Sequence, residues 1–256
     1  MNAVACAART PTDTLLQAWE SLHGACASER AYGLLAALWP QLALEQWRQV
    51  GLGERDAWLL QLQAMLFGDT LQTLSDCPAC GETLETSLPV QQLCAAPSQL
   101  PQPRAVHELR HDGYRLQFRL PCGDDLTAIV RTAHADTDTD AAIGALIARC
   151  LLDVRHGDAT VATDTLPPAL RERLGAAMAA ADPQADLRIG VRCPACSHAW
   201  SARLDIAAYL WDELDDWAQE LLADVHLLAR HYAWSERDIL ALAPVRRRFY
   251  LDLVQA

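Results

Sequence analysis

Two cysteine pairs of the same form, Cys77-Pro78-Ala79-Cys80 and Cys193-Pro194-Ala195-Cys196, constrain this chain more than any other feature. Their surroundings repeat as well. Cys80 is followed by Gly81-Glu82-Thr83-Leu84, then Leu88 and Val90; Cys196 is followed by Ser197-His198-Ala199-Trp200, then Leu204 and Ile206. Each unit reads as a metal knuckle followed by a strand that turns toward a helix. Two facing knuckles supply four thiolates in a tetrahedron, the arrangement Zn²⁺ takes in closed structural sites. The predicted metal ligands are Cys77, Cys80, Cys193 and Cys196.

The knuckles are far apart along the chain. Closing a loop of more than a hundred residues costs on the order of 4 kcal/mol in chain entropy. A structural zinc site returns roughly 10–16 kcal/mol at neutral pH, so the metal outweighs the closure. A redox reading is disfavoured, because a thioredoxin-like pair sits between a strand and a helix start, whereas each pair here precedes a strand. His198 is an alternative ligand to a cysteine, although four thiolates already complete the shell. Such a shell has no open position for water or substrate, which argues against hydrolysis at the metal.

Composition narrows the function classes. The net charge of −12 weighs against nucleic acid or an anionic membrane as the main partner, since both need concentrated Lys and Arg. With 51% hydrophobic residues, 256 residues can bury a core without disulfides, as one large domain or two small ones. The 9 cysteines, an odd number with two tight pairs, suit a reducing cytoplasm. No secretion signal and no run long enough to span a bilayer is read. The 8 Trp against 3 Phe suggest that some indoles lie at contact surfaces.

Periodicity predicts helices from Thr12, from Ser28 to before Pro40, and between Gly53 and Gly68, with the first cysteine pair following at once. Leu84 to Val90 alternates as a strand, and residues 95–104, with three prolines, read as a linker. Asp112-Gly113 between Val106–Arg110 and Tyr114–Leu120 is the clearest hairpin signal. Helix is expected from Asp124 to about Leu152, broken near Asp136–Asp140, then a weaker hairpin around His156-Gly157-Asp158 and a helix over Pro168–Ala181. Strands are predicted at 185–191 and Trp200–Leu204. A long amphipathic helix should run from Ile206 to Tyr232, with an acidic opposite face at Asp212, Glu213, Asp215 and Asp216. Ser235 and Asp238 have capping-box spacing, and Pro244 suits the first turn of a last helix.

Other candidates read as structural. Cys6, Cys26, Cys94, Cys122 and Cys150 lack partner spacing; Cys122 would be a nucleophile only beside a histidine. His226 and His231 do not share a helix face. Trp211, Trp217 and Trp234 are core at helical spacing or, in the alternative, part of a docking surface together with the basic cluster Arg246-Arg247-Arg248.

Four stretches together carry a family resemblance. They are Phe67-Gly68 leading to Asp76-Cys77-Pro78-Ala79-Cys80-Gly81; Phe118-Arg119-Leu120-Pro121 followed by Asp124-Asp125-Leu126; Asp182-Pro183-Gln184-Ala185; and the tail from Val225-His226 through Trp234-Ser235-Glu236 to Arg247-Arg248-Phe249-Tyr250-Leu251. The chain resembles the zinc-knuckle baseplate proteins of contractile phage tails and of phage-tail-like contractile injection systems, over about residues 30 to 254. Its C-terminal pattern also looks like segments of tail-assembly chaperones. The resemblance implies a role in building the baseplate, with tail-assembly proteins as partners and no catalysis. Ser197 departs from the glycine usual after the second knuckle, and residues 1–27 match no part of the pattern.

The expected fold is α+β, mainly helical with short antiparallel hairpins and a zinc-ribbon-like, four-cysteine knuckle pair closing a long insertion. Its expected parts are a helical region (1–75), the first knuckle and strand (76–94), an inserted α/β segment (95–184), the second knuckle and strands (185–206) and a C-terminal helical segment (207–256). The expected function is structural or chaperone-like, in a cytoplasmic protein that binds no nucleic acid, membrane or small-molecule substrate. The rival readings are a zinc-ribbon protein of nucleic acid or transcription, and a zinc- or thiol-dependent hydrolase.

Overall fold

The computed structural model describes residues 12–93, 97, 100–101, 105–132 and 139–255. Four helices open it: α1 (Thr12–Leu22), α2 (Ala27–Leu38), α3 (Leu44–Arg48) and α4 (Leu52–Leu66). α2 stops at Trp39, whose φ of −123° and ψ of 74° are non-helical, as expected of a residue preceding proline. Trp39, Trp47 and Trp58 are fully buried, and Trp58 meets the other two edge-to-face with ring centroids 5.0 Å and 5.7 Å away. Tryptophan here builds the main core, because three indoles from three elements fill a volume that aliphatic side chains would leave poorly packed.

The first hairpin follows: β1 (Thr70–Asp76) and β2 (Thr83–Pro89), then a single turn, α5 (Val90–Leu93). β1 departs from the sequence reading, which places the cysteines directly after the helix. Only Leu71 of this strand is buried, and Leu74 is 74% exposed. Pairing with β2 holds the strand, in a register from Thr70↔Pro89 to Asp76↔Thr83, rather than its own burial pattern.

The insertion contains β3 (Val106–His111), β4 (Tyr114–Arg119), α6 (Gly123–Thr132), α7 (Thr139–Cys150), β5 (Leu151–His156), β6 (Ala159–Thr160) and α8 (Pro168–Ala181). Its strands form one antiparallel sheet in the order β3-β4-β5-β6. Asp112 and Gly113 have φ of 47° and 78°, the paired positive values of a tight hairpin turn. Leu116, Phe118 and Val154 from the sheet pack with Ile147, Leu170, Leu174 and Met178 into a second core. The expected helix to Leu152 ends early. Leu151 already belongs to β5, because β4 offers an unpaired edge and Leu116↔Val154 pairing outweighs helix propensity. The expected break at Asp136–Asp140 falls mostly on residues 133–138, outside the described ones.

The insertion docks on the helical core through Gly123. A Cβ at this position would lie 2.3 Å from Cε2 of the buried Tyr32. Gly123→Ala is therefore expected to cost about 1–3 kcal/mol by overpacking, read as a lower urea midpoint at unchanged slope.

The second hairpin, β7 (Arg188–Arg192) and β8 (Ala199–Arg203), leads into α9 (Ile206–Tyr232). Asp205 caps α9 by accepting from the Ala208 N–H at 3.1 Å. Along its length α9 gives Leu210, Trp211 and Leu214 to the main core, Ala218 and Leu221 to α1, and Val225 and Leu228 to a last small core. That core is closed by α10 (Glu236–Leu240) and α11 (Pro244–Gln255), through Ile239 and Leu251. The result is a mixed helix and sheet fold with short antiparallel hairpins, as the sequence implies.

Candidate metal centre

Each cysteine pair occupies the six-residue turn at the tip of a two-stranded hairpin. The two turns are hydrogen-bonded alike. In the first, the Cys77 N–H donates to the Glu82 carbonyl at 2.8 Å and the Gly81 N–H to the Cys77 carbonyl at 2.8 Å. In the second, the Cys193 N–H donates to His198 at 2.8 Å and the Ser197 N–H to Cys193 at 2.9 Å. The residue after the second cysteine must turn left-handed in both: Gly81 has φ 75° and Ser197 φ 62°. The turn is unaltered by the serine, which instead bears the cost of that region. Ser197→Gly is expected to raise stability by about 1 kcal/mol, seen as a rise in Tm.

The hairpins face each other tip to tip. Cys77 Sγ lies 3.6 Å from Cys196 Sγ, and Cys80 Sγ lies 3.6 Å from Cys193 Sγ. All four sulfurs lie within 4.8 Å of one another. A tetrahedron with Zn–S bonds of about 2.3 Å has S···S edges of roughly 3.8 Å, so the cluster has the size such an ion needs. Cys77 and Cys193 are buried, Cys80 and Cys196 exposed, which puts the cluster at the surface with one wall of protein.

The backbone is arranged for thiolates. Burial disfavours the Cys77 anion, but N–H groups of Ala79 and Cys80 and neighbouring thiols outweigh it and bring its pKa down to about 7. The Glu82 N–H favours the Cys80 thiolate, yet the crowding of Cys196 and Cys193 pushes that thiol up to about 12. Cys196 is also raised: the His198 N–H and the Cys80 thiol favour its thiolate, but burial and the Cys77 and Cys193 thiols outweigh them. Four thiols this close cannot all ionise without a cation among them. The set could hold a metal ion, and an all-sulfur donor set suits a soft or borderline one. His198 does not join it; its ring stacks on Trp200 with centroids 6.1 Å apart.

The family model described as the T4 bacteriophage base plate protein matches residues 45–206, well over half of the chain. This chain belongs to that family. The match begins in α3, contains both knuckles and everything between them, and ends as α9 begins. No curated protein and no solved structure matches the chain. Among the described residues of this base plate family member, no helix is long and apolar enough to cross a membrane.

The matched region contains a second polar centre that residue-type patterns did not single out. Asp125 is 0% exposed. Its carboxylate accepts from Arg119 Nη2 at 2.8 Å, Arg149 Nε at 3.0 Å and the Cys122 N–H at 3.1 Å. Burial raises its pKa, but the Arg119 guanidinium and the Cys122 N–H more than reverse this and bring it down to about 2. The ends of β4, α6 and α7 are thereby tied to one side chain. Arg119 and Asp125 both fall in the Phe118–Leu126 stretch that carries the family resemblance, which was the available signal. Cys122, expected to matter only beside a histidine, sits against this same carboxylate, with Sγ donating at 3.3 Å.

The residues expected at a partner surface are dispersed. Trp211 is 5% exposed under the Arg30 guanidinium, 4.3 Å from its ring centroid, and Arg247 is 8% exposed. Both are interior, because each lies on the helix face turned to a neighbouring element. Trp217 is half-buried against the main core, and Trp234 is half-buried between Tyr232 and Tyr250. Arg246 and Arg248 are exposed, as are His226 and His231. Cys26 is an exposed thiol and Cys150 a buried one; Cys6 and Cys94 lie outside the described residues.

Proposed function

We propose that Cys77, Cys80, Cys193 and Cys196 bind one structural Zn²⁺, and that the chain serves as a non-catalytic structural or chaperone-like assembly protein of a contractile tail or injection-system baseplate. The observation that carries this reading is the meeting of two remote hairpin tips in one sulfur cluster of tetrahedral size, within the stretch that matches the base plate family. A fourth thiolate fills the position that a hydrolytic zinc keeps open, so the ion's work is mechanical. It joins the ends of the long insertion and leaves the helical faces for tail-assembly partners rather than for nucleic acid, membrane or a small-molecule substrate.

The test is a strain lacking the gene. Its particles are expected to lack assembled baseplates and sheathed tails in electron micrographs. The native chain restores them, and the Cys193→Ser chain does not. Normal tails without the gene would count against the proposal. Mass spectrometry of purified particles then separates a resident component from a chaperone that departs. Binding of duplex DNA at physiological salt in a gel shift would favour the zinc-ribbon nucleic-acid reading instead.

A further inference from the structure

The C-terminal helix α11 has two apolar faces, and only one of them is covered. Leu251 and Val254 face inward, onto α9 and α10. On the opposite side Val245, Phe249 and Leu253 recur every fourth residue and are 83%, 60% and 56% exposed. Four-residue spacing aligns them as one stripe along the helix. An amphipathic surface helix needs one apolar stripe; a second one marks a surface that something else covers.

Charge says what that something is. From Val225 onward the chain carries five arginines against three carboxylates, in a protein of net charge −12. Arg246 borders the stripe on one side and forms no ion pair among the described residues. Arg248 borders the other side and pairs with Asp252 at 3.0 Å. A second copy docking stripe to stripe fits poorly. It would bring two basic segments together, and three partly exposed side chains offer roughly 300–400 Å² where a stable dimer takes about 800 Å² from each partner.

We propose that the Val245–Phe249–Leu253 face of α11 docks an acidic amphipathic helix of a partner protein, with apolar residues in the stripe and carboxylates against Arg246 and Arg248. Helix-on-helix docking of this kind is read out by i, i+4 anchors. The face lies outside the residues matched to the base plate family. The inference deepens the assembly reading by naming the chemistry of a partner, and its test needs no assembled tail, so either can fail without the other.

The probe is a synthetic, fluorescein-labelled helical peptide with leucines at i, i+4 and i+7 and glutamates on both flanks. It is titrated with the full chain and followed by anisotropy. Saturable binding is expected. It should weaken at least tenfold when lysines replace the glutamates, and at least tenfold with the Phe249→Ser/Leu253→Ser chain. That chain should keep its helical circular dichroism, since both side chains are largely in solvent. No binding, equal binding of both peptides, or undiminished binding by the variant overturns the proposal. Sedimentation velocity of the chain alone addresses the rival occupant: a concentration-dependent dimer that Phe249→Ser abolishes assigns the stripe to a second copy and overturns it too.

Discussion

Cys193→Ser is expected to cost the protein its folded state, or at least 10 °C in Tm, at a scale of about 2–4 °C per kcal/mol for a chain of this size. The reason lies in how little else holds the two hairpins. No residue of β2, β7 or β8 is buried, and β1 buries Leu71 alone. Two-stranded hairpins are marginal by themselves. If the sulfur cluster binds zinc at the usual strength, the ion contributes roughly 10–16 kcal/mol, comparable to the whole stability of a domain, about 5–15 kcal/mol. Elemental analysis should find about one zinc per native chain and a clear deficit in the variant. A strong chelator should reproduce the loss of Tm in the native chain and have little further effect on the variant. Cys26→Ser is the control: this exposed thiol lies outside the cluster at the N-cap of α2, where serine is a preferred residue, so the change should leave stability unchanged or raise it by at most about 1 kcal/mol. A Cys193→Ser protein that melts like the native one would show that the cluster holds nothing of structural weight.

The second large effect belongs to Asp125. Asp125→Ala leaves Arg119, Arg149 and the Cys122 N–H without their shared acceptor, and removing one partner of a buried ion network typically costs about 3–5 kcal/mol. Urea unfolding of the native and variant chains measures it. The pH dependence carries a sign. The folded carboxyl has a pKa near 2 against an ordinary 3.8. The unfolded chain therefore takes up this proton first as acid is added. The stabilisation is complete above about pH 4 and is lost as pH falls toward about 2. Between those values the native protein should lose stability more steeply than Asp125→Asn, whose side chain cannot titrate. Parallel acid profiles would show that the carboxylate network does not carry this stability.

Much of the local structure was legible in residue order. The bounds of α8 and α9, the Asp112-Gly113 turn and the Ser235 cap follow from short-range chemistry: a proline in the first turn, a run of apolar residues every three or four positions, a pair tolerant of positive φ. The elements that escaped were those whose stability is borrowed. β1 has almost no buried face, and β5 begins inside an apparent helical run; each is a strand because another strand lies beside it. Trp211 and Trp234 look alike in sequence. One is buried beneath Arg30 and the other sits half-open between two tyrosines, a difference set by which helix passes over each.

For the site, the order of residues alone picked out the four cysteines, since a repeated Cys-Pro-Ala-Cys turn is a local device that carries its own pair of sulfurs. It also carried the expectation that four thiolates, if they close on an ion, leave no vacancy for chemistry. Only the tertiary structure decided that the two tips meet, that Asp125 is the anchor of the insertion, and that one side of α11 is left uncovered. These are matters of distance between segments remote in sequence, and side-chain periodicity carries no information about which remote surface will arrive to cover a given face.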